Sequence, residues 1–185
     1  MRMRGLLTIL LALIMPSLAM ADNVDYTLGS GDLVHIVVFG EPDLSDDFLV
    51  GPSGNIGFPL LGDVSAAGST PSQLQQEIST LLRNGYLIDP RVSISIKEYR
   101  LIYINGEVES PGDYSFTPGL TIEKAIAIAG GFTDRASRQK IFVTHDVTSA
   151  SKDSSKLLSG KGREKLSLSD FVRPGDVITV EQSFF

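Results

Sequence analysis

Cysteine is absent from all 185 residues of the chain. That removes disulfide frameworks, zinc–thiolate centres, thiol nucleophiles and any lipid-accepting thiol from consideration. Histidine is nearly as scarce. His35 falls inside an apolar run and His145 at the end of another, neither with a partner at metal-ligand spacing, so both read as structural. Membrane-crossing apolar stretches are missing too: the run from Gly5 to Met15 is well under the roughly 20 residues that span a bilayer, and nothing later reaches that length. Basic side chains are the minority, 16 Lys and Arg against 22 Asp and Glu, for a net charge of −6. This balance argues against nucleic acid, whose phosphates require clustered Lys and Arg.

What the sequence does contain begins with a secretion leader over residues 1–21. Arg2 and Arg4 precede the apolar run, Pro16 follows it, and Ala19-Met20-Ala21 suits a signal peptidase cutting before Asp22. The two arginines are not adjacent, so a twin-arginine signal is not indicated. Cleavage would remove two basic residues and no acid, leaving 14 basic against 22 acidic side chains.

The expected mature chain divides in two, 22–98 and 99–185. In the first part, Leu33 to Phe39 is apolar on both faces after the turn Gly29-Ser30-Gly31-Asp32 and reads as a buried strand. Thr70 caps a helix with Pro71 at its first position, Gln73 completing a capping box, and Leu74, Ile78, Leu81 and Leu82 along one stripe. Val92 to Lys97 then alternates like a strand with one face in a core. In the second part, Leu101 to Asn105 predicts a strand, Ser110-Pro111-Gly112-Asp113 a type II turn, and Tyr114 to Phe116 the returning strand. Thr121 opens a helix that Gly130-Gly131 closes, and Arg173-Pro174-Gly175-Asp176 predicts a second type II turn before the strand Val177 to Val180. The order suggests an α+β protein: a small α/β domain, then a β-grasp-like sheet wrapped on one helix.

Reactive groups are hard to find in this pattern. Gly106, Gly112, Gly130, Gly131 and Gly175 suit turn geometry, and Asp32, Asp113 and Asp176, each after a glycine, suit hydrogen bonds to local backbone amides. Glu41, Asp43, Asp46 and Asp47 lack calcium-loop spacing. No serine sits in a Gly-x-Ser-x-Gly elbow, so an enzyme is not expected, and neither is a cofactor. One stretch, 152–165, is locally basic, with Lys152, Lys156, Lys161, Arg163 and Lys165. It reads either as a solvated loop or as a contact for an anionic glycan or an acidic partner.

Two long stretches carry a resemblance. The first, from YTLGSGDLVHIVVFGEPDLSDD to RVSISI, including Phe39-Gly40-Glu41 and Pro59-Leu60-Leu61-Gly62, resembles the N-terminal domain of the bacterial outer-membrane polysaccharide export family. The second, through INGEVESPGDY, TIEKAIAIAGGFT and VRPGDVITV, resembles the soluble-ligand-binding β-grasp (SLBB) domain that follows it in that family. The resemblance implies a periplasmic component of a capsule or exopolysaccharide export machine at the inner face of the outer membrane. It implies the polysaccharide itself, an inner-membrane polysaccharide copolymerase and further copies of the chain as partners. A monomeric glycan-binding adaptor and a glycan-modifying enzyme are the alternatives. Larger members carry a C-terminal pore helix after their β-grasp domains, whereas only residues 181–185 follow Val180 here, which leads us to expect a separate outer-membrane β-barrel partner. Phe185 resembles the aromatic end of such barrels, without their alternating strands.

Overall fold

The computed structural model describes residues 26–145 and 163–183. The expected leader, Lys152, Lys156, Lys161 and Phe185 lie outside the described residues. Strand β1 (Leu33–Val38) runs antiparallel between β2 (Asp46–Leu49) and β5 (Val92–Glu98). A 3-10 turn, Pro42–Leu44, joins β1 to β2, and β3 (Asn55–Phe58) pairs with β4 (Gly62–Ser65) in a separate hairpin. Helix α1 (Pro71–Arg83) packs against β5. Its first turn is closed reciprocally: Gln73 N–H donates to Thr70 Oγ1 at 3.2 Å, and Thr70 N–H donates to Gln73 Oε1 at 2.8 Å. Leu74, Ile78 and Leu82 are fully buried, with Leu81 beside them.

β1 is not buried on both faces. Val34, Ile36 and Val38 point into the core, while His35 is exposed opposite Asp47. Only one side of this small sheet is covered, so the other must satisfy its groups with charge. His35 Nδ1 meets Asp47 at 2.7 Å, and Lys97 bonds the same carboxylate. The Lys97 hydrogen bond first, and then that of His35, holds the Asp47 carboxyl below the usual carboxylate range.

The second hydrophobic cluster lies beneath a five-stranded sheet ordered β7-β6-β10-β8-β9. Its elements are β6 (Ile102–Gly106), β7 (Gly112–Tyr114), α2 (Ile122–Ile128), β8 (Ala136–Thr144), β9 (Arg163–Leu166) and β10 (Val177–Gln182). The last strand in sequence occupies the middle, parallel to β6 and antiparallel to β8. Thr121 caps α2, which buries Ile122, Ala125 and Ile126 against Ile102, Ile104, Ile141, Val143, Ile178 and Val180. The architecture is mixed α+β, with two α-helices and three sheets among the described residues.

Three expectations change at this level. The turn assigned to Ser110–Asp113 is not there: Gly112 lies in β7 opposite Ile104, without the left-handed backbone of a type II turn. The ladder requires extended backbone at Gly112, and the chain reverses earlier, where Gly106 takes φ +90°. The returning strand accordingly starts two residues before Tyr114. Arg163 and Lys165 are also not loop residues. They sit in β9, because the open edge of β8 supplies a template that overrides the weak strand preference of charged side chains.

The first correction makes a prediction. Gly175 has φ +86°, so Gly175→Val is expected to lower stability by about 1–3 kcal/mol through backbone strain. Gly112→Val is expected to be near neutral, since the extended backbone of β7 favours a β-branched residue and a Cβ there meets only Tyr114 Cε2 at 4.0 Å. Thermal melts of the two variants decide it, and a larger loss at Gly112 would refute the strand assignment.

Main-chain hydrogen bonds weld the three sequence blocks of this sheet together. Glu109 N–H donates to Gly131 O at 3.0 Å and Ser110 N–H to Ala129 O at 2.9 Å, seating the β6–β7 connection on the end of α2. Ile122 N–H donates to Asp170 O at 3.0 Å, and Val172 N–H to Leu120 O at 2.9 Å, tying the start of α2 to the segment before β10. The ordered backbone of these blocks is used internally, to hold one another.

Candidate functional site

A glycine followed by an aspartate opens both β1 and β10, and the two build the same turn. In Gly29–Asp32 the fourth N–H donates to the first carbonyl at 3.2 Å, and in Arg173–Asp176 at 3.1 Å. In each, the aspartate Oδ2 accepts from the N–H of the first turn residue at 2.8 Å. Gly31 and Gly175 take φ +96° and +86°, and both carboxylates are buried, Asp32 at 0% exposure and Asp176 at 1%.

The buried carboxylates then hold polar side chains: Asp32 holds Tyr26 and Arg100, and Asp176 holds His145. Asp32 accepts from Arg100 N–H at 2.8 Å, Arg100 NH1 at 3.1 Å and the Tyr26 hydroxyl at 2.5 Å. Burial, followed by the bond to Asp32, pushes the Tyr26 phenol well above its ordinary range, so it remains a donor. Asp176 Oδ1 accepts from His145 Nδ1–H at 2.6 Å, and Glu164 lies 3.5 Å from Nε2. The Asp176 bond raises the His145 pKa against the opposing effect of burial. Arg100 lies in the short connection from β5 to β6, after Tyr99, so the Asp32 bonds tie that connection to the first cluster. Tyr99 adds edge contacts on either side, 5.1 Å to Tyr26 and 5.3 Å to Phe116.

Between the two turns lies a cleft of about 510 Å³. Ser30 and Gly31 line one wall, Gly175 and Val177 the other, with Arg100, Tyr103, Thr144 and His145 completing it. Of the expected turn residues, Gly31 and Gly175 therefore line this cleft, and Asp32 and Asp176 sit behind them. Gly106, Pro111, Gly112, Gly130 and Gly131 do not line it and gather where the β6–β7 connection meets α2. Pro174 is buried within the second turn. Asp113 is exposed on β7, unlike the other two aspartates. Arg163 pairs across from Thr144, stacks over Phe142 at 4.5 Å and bonds Glu181 at 3.1 Å, while Lys165 is exposed on the edge strand.

Tyr26, Arg100 and His145 carry no signal of their partners in the sequence, since those partners lie 6 to 74 residues away. The repeat that could have found the cleft is the Gly-Asp step itself, present as Gly31-Asp32-Leu33 and Gly175-Asp176-Val177. Among the described residues no group of three or more His, Cys, Asp or Glu is arranged to hold a metal ion, and no helix is long and apolar enough to cross a membrane.

Comparison with known proteins gives this architecture a context. Residues 20–97 match the family described as "Polysaccharide biosynthesis/export protein", and residues 101–154 match the SLBB domain. The exopolysaccharide production protein ExoF of Rhizobium meliloti (strain 1021) is 32% identical over 159 residues, covering 80% of this chain and 37% of that protein. The EPS I polysaccharide export outer membrane protein EpsA of Ralstonia nicotianae is 27% identical over 190 residues, covering 88% of this chain and 49% of its own length. The polysialic acid transport protein KpsD of Escherichia coli is 31% identical over 111 residues, 59% of this chain and 20% of that protein. The chain thus spans from a fifth to about half the length of these curated relatives. With both family matches falling in order on the two clusters joined through Asp32 and Arg100, this chain belongs to the polysaccharide biosynthesis/export family, with an export domain followed by an SLBB domain.

Proposed function

We propose that the protein is a non-catalytic periplasmic component of a polysaccharide export machine, acting as a ring-forming conduit or adaptor at the inner face of the outer membrane. The parts we assign are a leader over 1–21, an export domain over 22–98 and an SLBB domain over 99–185. The observation that carries the reading is the seam. A carboxylate with 0% exposure in the first part accepts two hydrogen bonds from Arg100 in the connection to the second, which supports two parts held together rather than as beads on a linker. A protomer of constant shape is what repeated side-by-side assembly requires. The partners are the polymer, an inner-membrane copolymerase and a separate outer-membrane protein, for which a β-barrel is our choice.

Light scattering on the protein purified from envelopes, together with export by a strain lacking the gene, tests this. We expect an oligomeric mass, loss of surface polymer on deletion, and recovery of an integral outer-membrane protein after crosslinking. Normal polymer export by the deletion strain would overturn the reading. A monomer that still binds polymer would favour the adaptor alternative, for which the 510 Å³ cleft is the supporting feature.

A further inference from the structure

We propose that the cleft between the two Gly-Asp turns, together with the open sheet face that continues from it, is a binding groove for hydroxyl-rich sugar residues of a glycan chain, with Tyr103 as its stacking platform. This rests on the export reading for the source of the chain, not for the site itself. Among the described residues one face of the five-stranded sheet is uncovered, as its register shows. Ile102, Ile104, Ile141, Val143, Ile178 and Val180 face the core, so the alternate positions face outward. They form two cross-strand rows, Asp113, Tyr103, Val177, Thr144 and Arg163, then Asn105, Thr179, Phe142 and Lys165. The first row shares Tyr103, Val177 and Thr144 with the cleft lining, making cleft and face one continuous surface.

The chemistry of that surface is specific. Tyr103 is 46% exposed although it sits in a strand flanked on both sides, which leaves a ring surface available for an apolar sugar face. Its cross-strand neighbours are the Asp113 carboxylate and Val177, and the hydroxyls of Thr144 and Thr179 and the Asn105 amide lie on the same face. The basic groups nearest the cleft are each matched by a carboxylate: Arg100 by Asp32, His145 by Asp176 and Glu164, and Arg163 by Glu181. Such pairs cancel the net field while fixing planar donors in place, which suits hydroxyl groups better than a free phosphate or a polyanion held by charge alone. A space of about 510 Å³ is of the size that small-molecule pockets have, enough for a few pyranose rings and not for a folded partner.

The test is titration of the ¹⁵N-labelled protein with oligosaccharides cut by partial acid hydrolysis from the producing cell's own exopolysaccharide. We expect amide shifts at Ser30, Gly31, Tyr103, Thr144 and Gly175, and binding that changes little between low and moderate salt. Tyr103→Ala is expected to weaken binding roughly tenfold with little change in melting temperature, because a lost stacking contact is worth about one factor of ten. Should that variant unfold, Tyr103→Leu keeps apolar volume and removes the ring. The site is overturned by oligosaccharides that shift none of these amides, by unchanged affinity in both Tyr103 variants, or by shifts that vanish with salt. Absent binding in a protein whose deletion still abolishes export removes this site and leaves the export reading standing; binding in a strain whose deletion has no effect on export does the reverse.

Discussion

Asp32→Ala is expected to destabilise the protein by about 3–5 kcal/mol, the cost of breaking a buried charge pair from one side. The carboxylate is completely shielded and receives bonds from Gly29 N–H, Tyr26, Arg100 N–H and the Arg100 guanidinium. Removing it takes the carboxylate from a guanidinium whose side chain is 9% exposed and which keeps its bond to the Tyr26 hydroxyl at 2.8 Å, and takes the acceptor from that phenol and two backbone amides. Each stranded donor loses a partner that water cannot fully replace. Asp32→Asn is expected to recover little, because its amide nitrogen would face donors at one of the two oxygen positions. Urea unfolding measures the loss, and small-angle scattering would show the two clusters departing from their fixed arrangement before global unfolding. A change below about 1 kcal/mol would mean that the Tyr26–Tyr99–Phe116 contacts alone hold the junction.

Gly106→Ala is expected to be of similar severity, on the order of 3–5 kcal/mol, by a different route that combines backbone strain with overpacking. Gly106 has φ +90°, and a Cβ there would lie 2.0 Å from Val180 O and 3.0 Å from Val180 C. Those atoms are backbone of the central strand β10 and cannot turn aside as a side chain can. Glu107 N–H also donates to Val180 O at 3.0 Å, so displacing that carbonyl loosens the crossing of β6 and β10. Gly131→Ala is the control, since φ is +95° there but nothing lies within 4 Å of its Cβ. The thermal midpoint should fall much further for Gly106→Ala than for Gly131→Ala. Equal losses would show that strain alone, and not the Val180 contact, sets the cost.

Local signals in the sequence translated well where they act locally. Thr70, Pro71 and Gln73 define the start of α1 because all three act within one helical turn, and Arg173–Asp176 defines its turn because Pro and Gly fix successive backbone angles. Ser110–Asp113 contains the same Pro-Gly pair yet forms no such turn, since pairing with Ile104 draws Gly112 into β7. β9 was hidden for a related reason: Arg163-Glu164-Lys165 has the composition of a solvated loop, and only the edge of β8 makes it a strand. β1 looked buried on both faces from its β-branched residues, but apolar character does not say how many layers cover a sheet. The cleft was least legible. Its walls come from turns more than 140 residues apart, and its polar side chains are set by carboxylates that meet them only in the folded chain.

The central place of β10 also decides when the second half of the molecule comes into being. β6 and β8 have no direct pairing and meet only through β10, whose residues are the last of the sheet to be synthesised. For a chain delivered N-terminus first across a membrane, the first cluster has all its strands by Glu98, while β6 and β8 lack the strand that joins them until β10 follows. Joining β6 to β10 closes a loop of about 70 residues, a late and entropically demanding step. The second half is therefore expected to close only when β10 is available to pair with both β6 and β8.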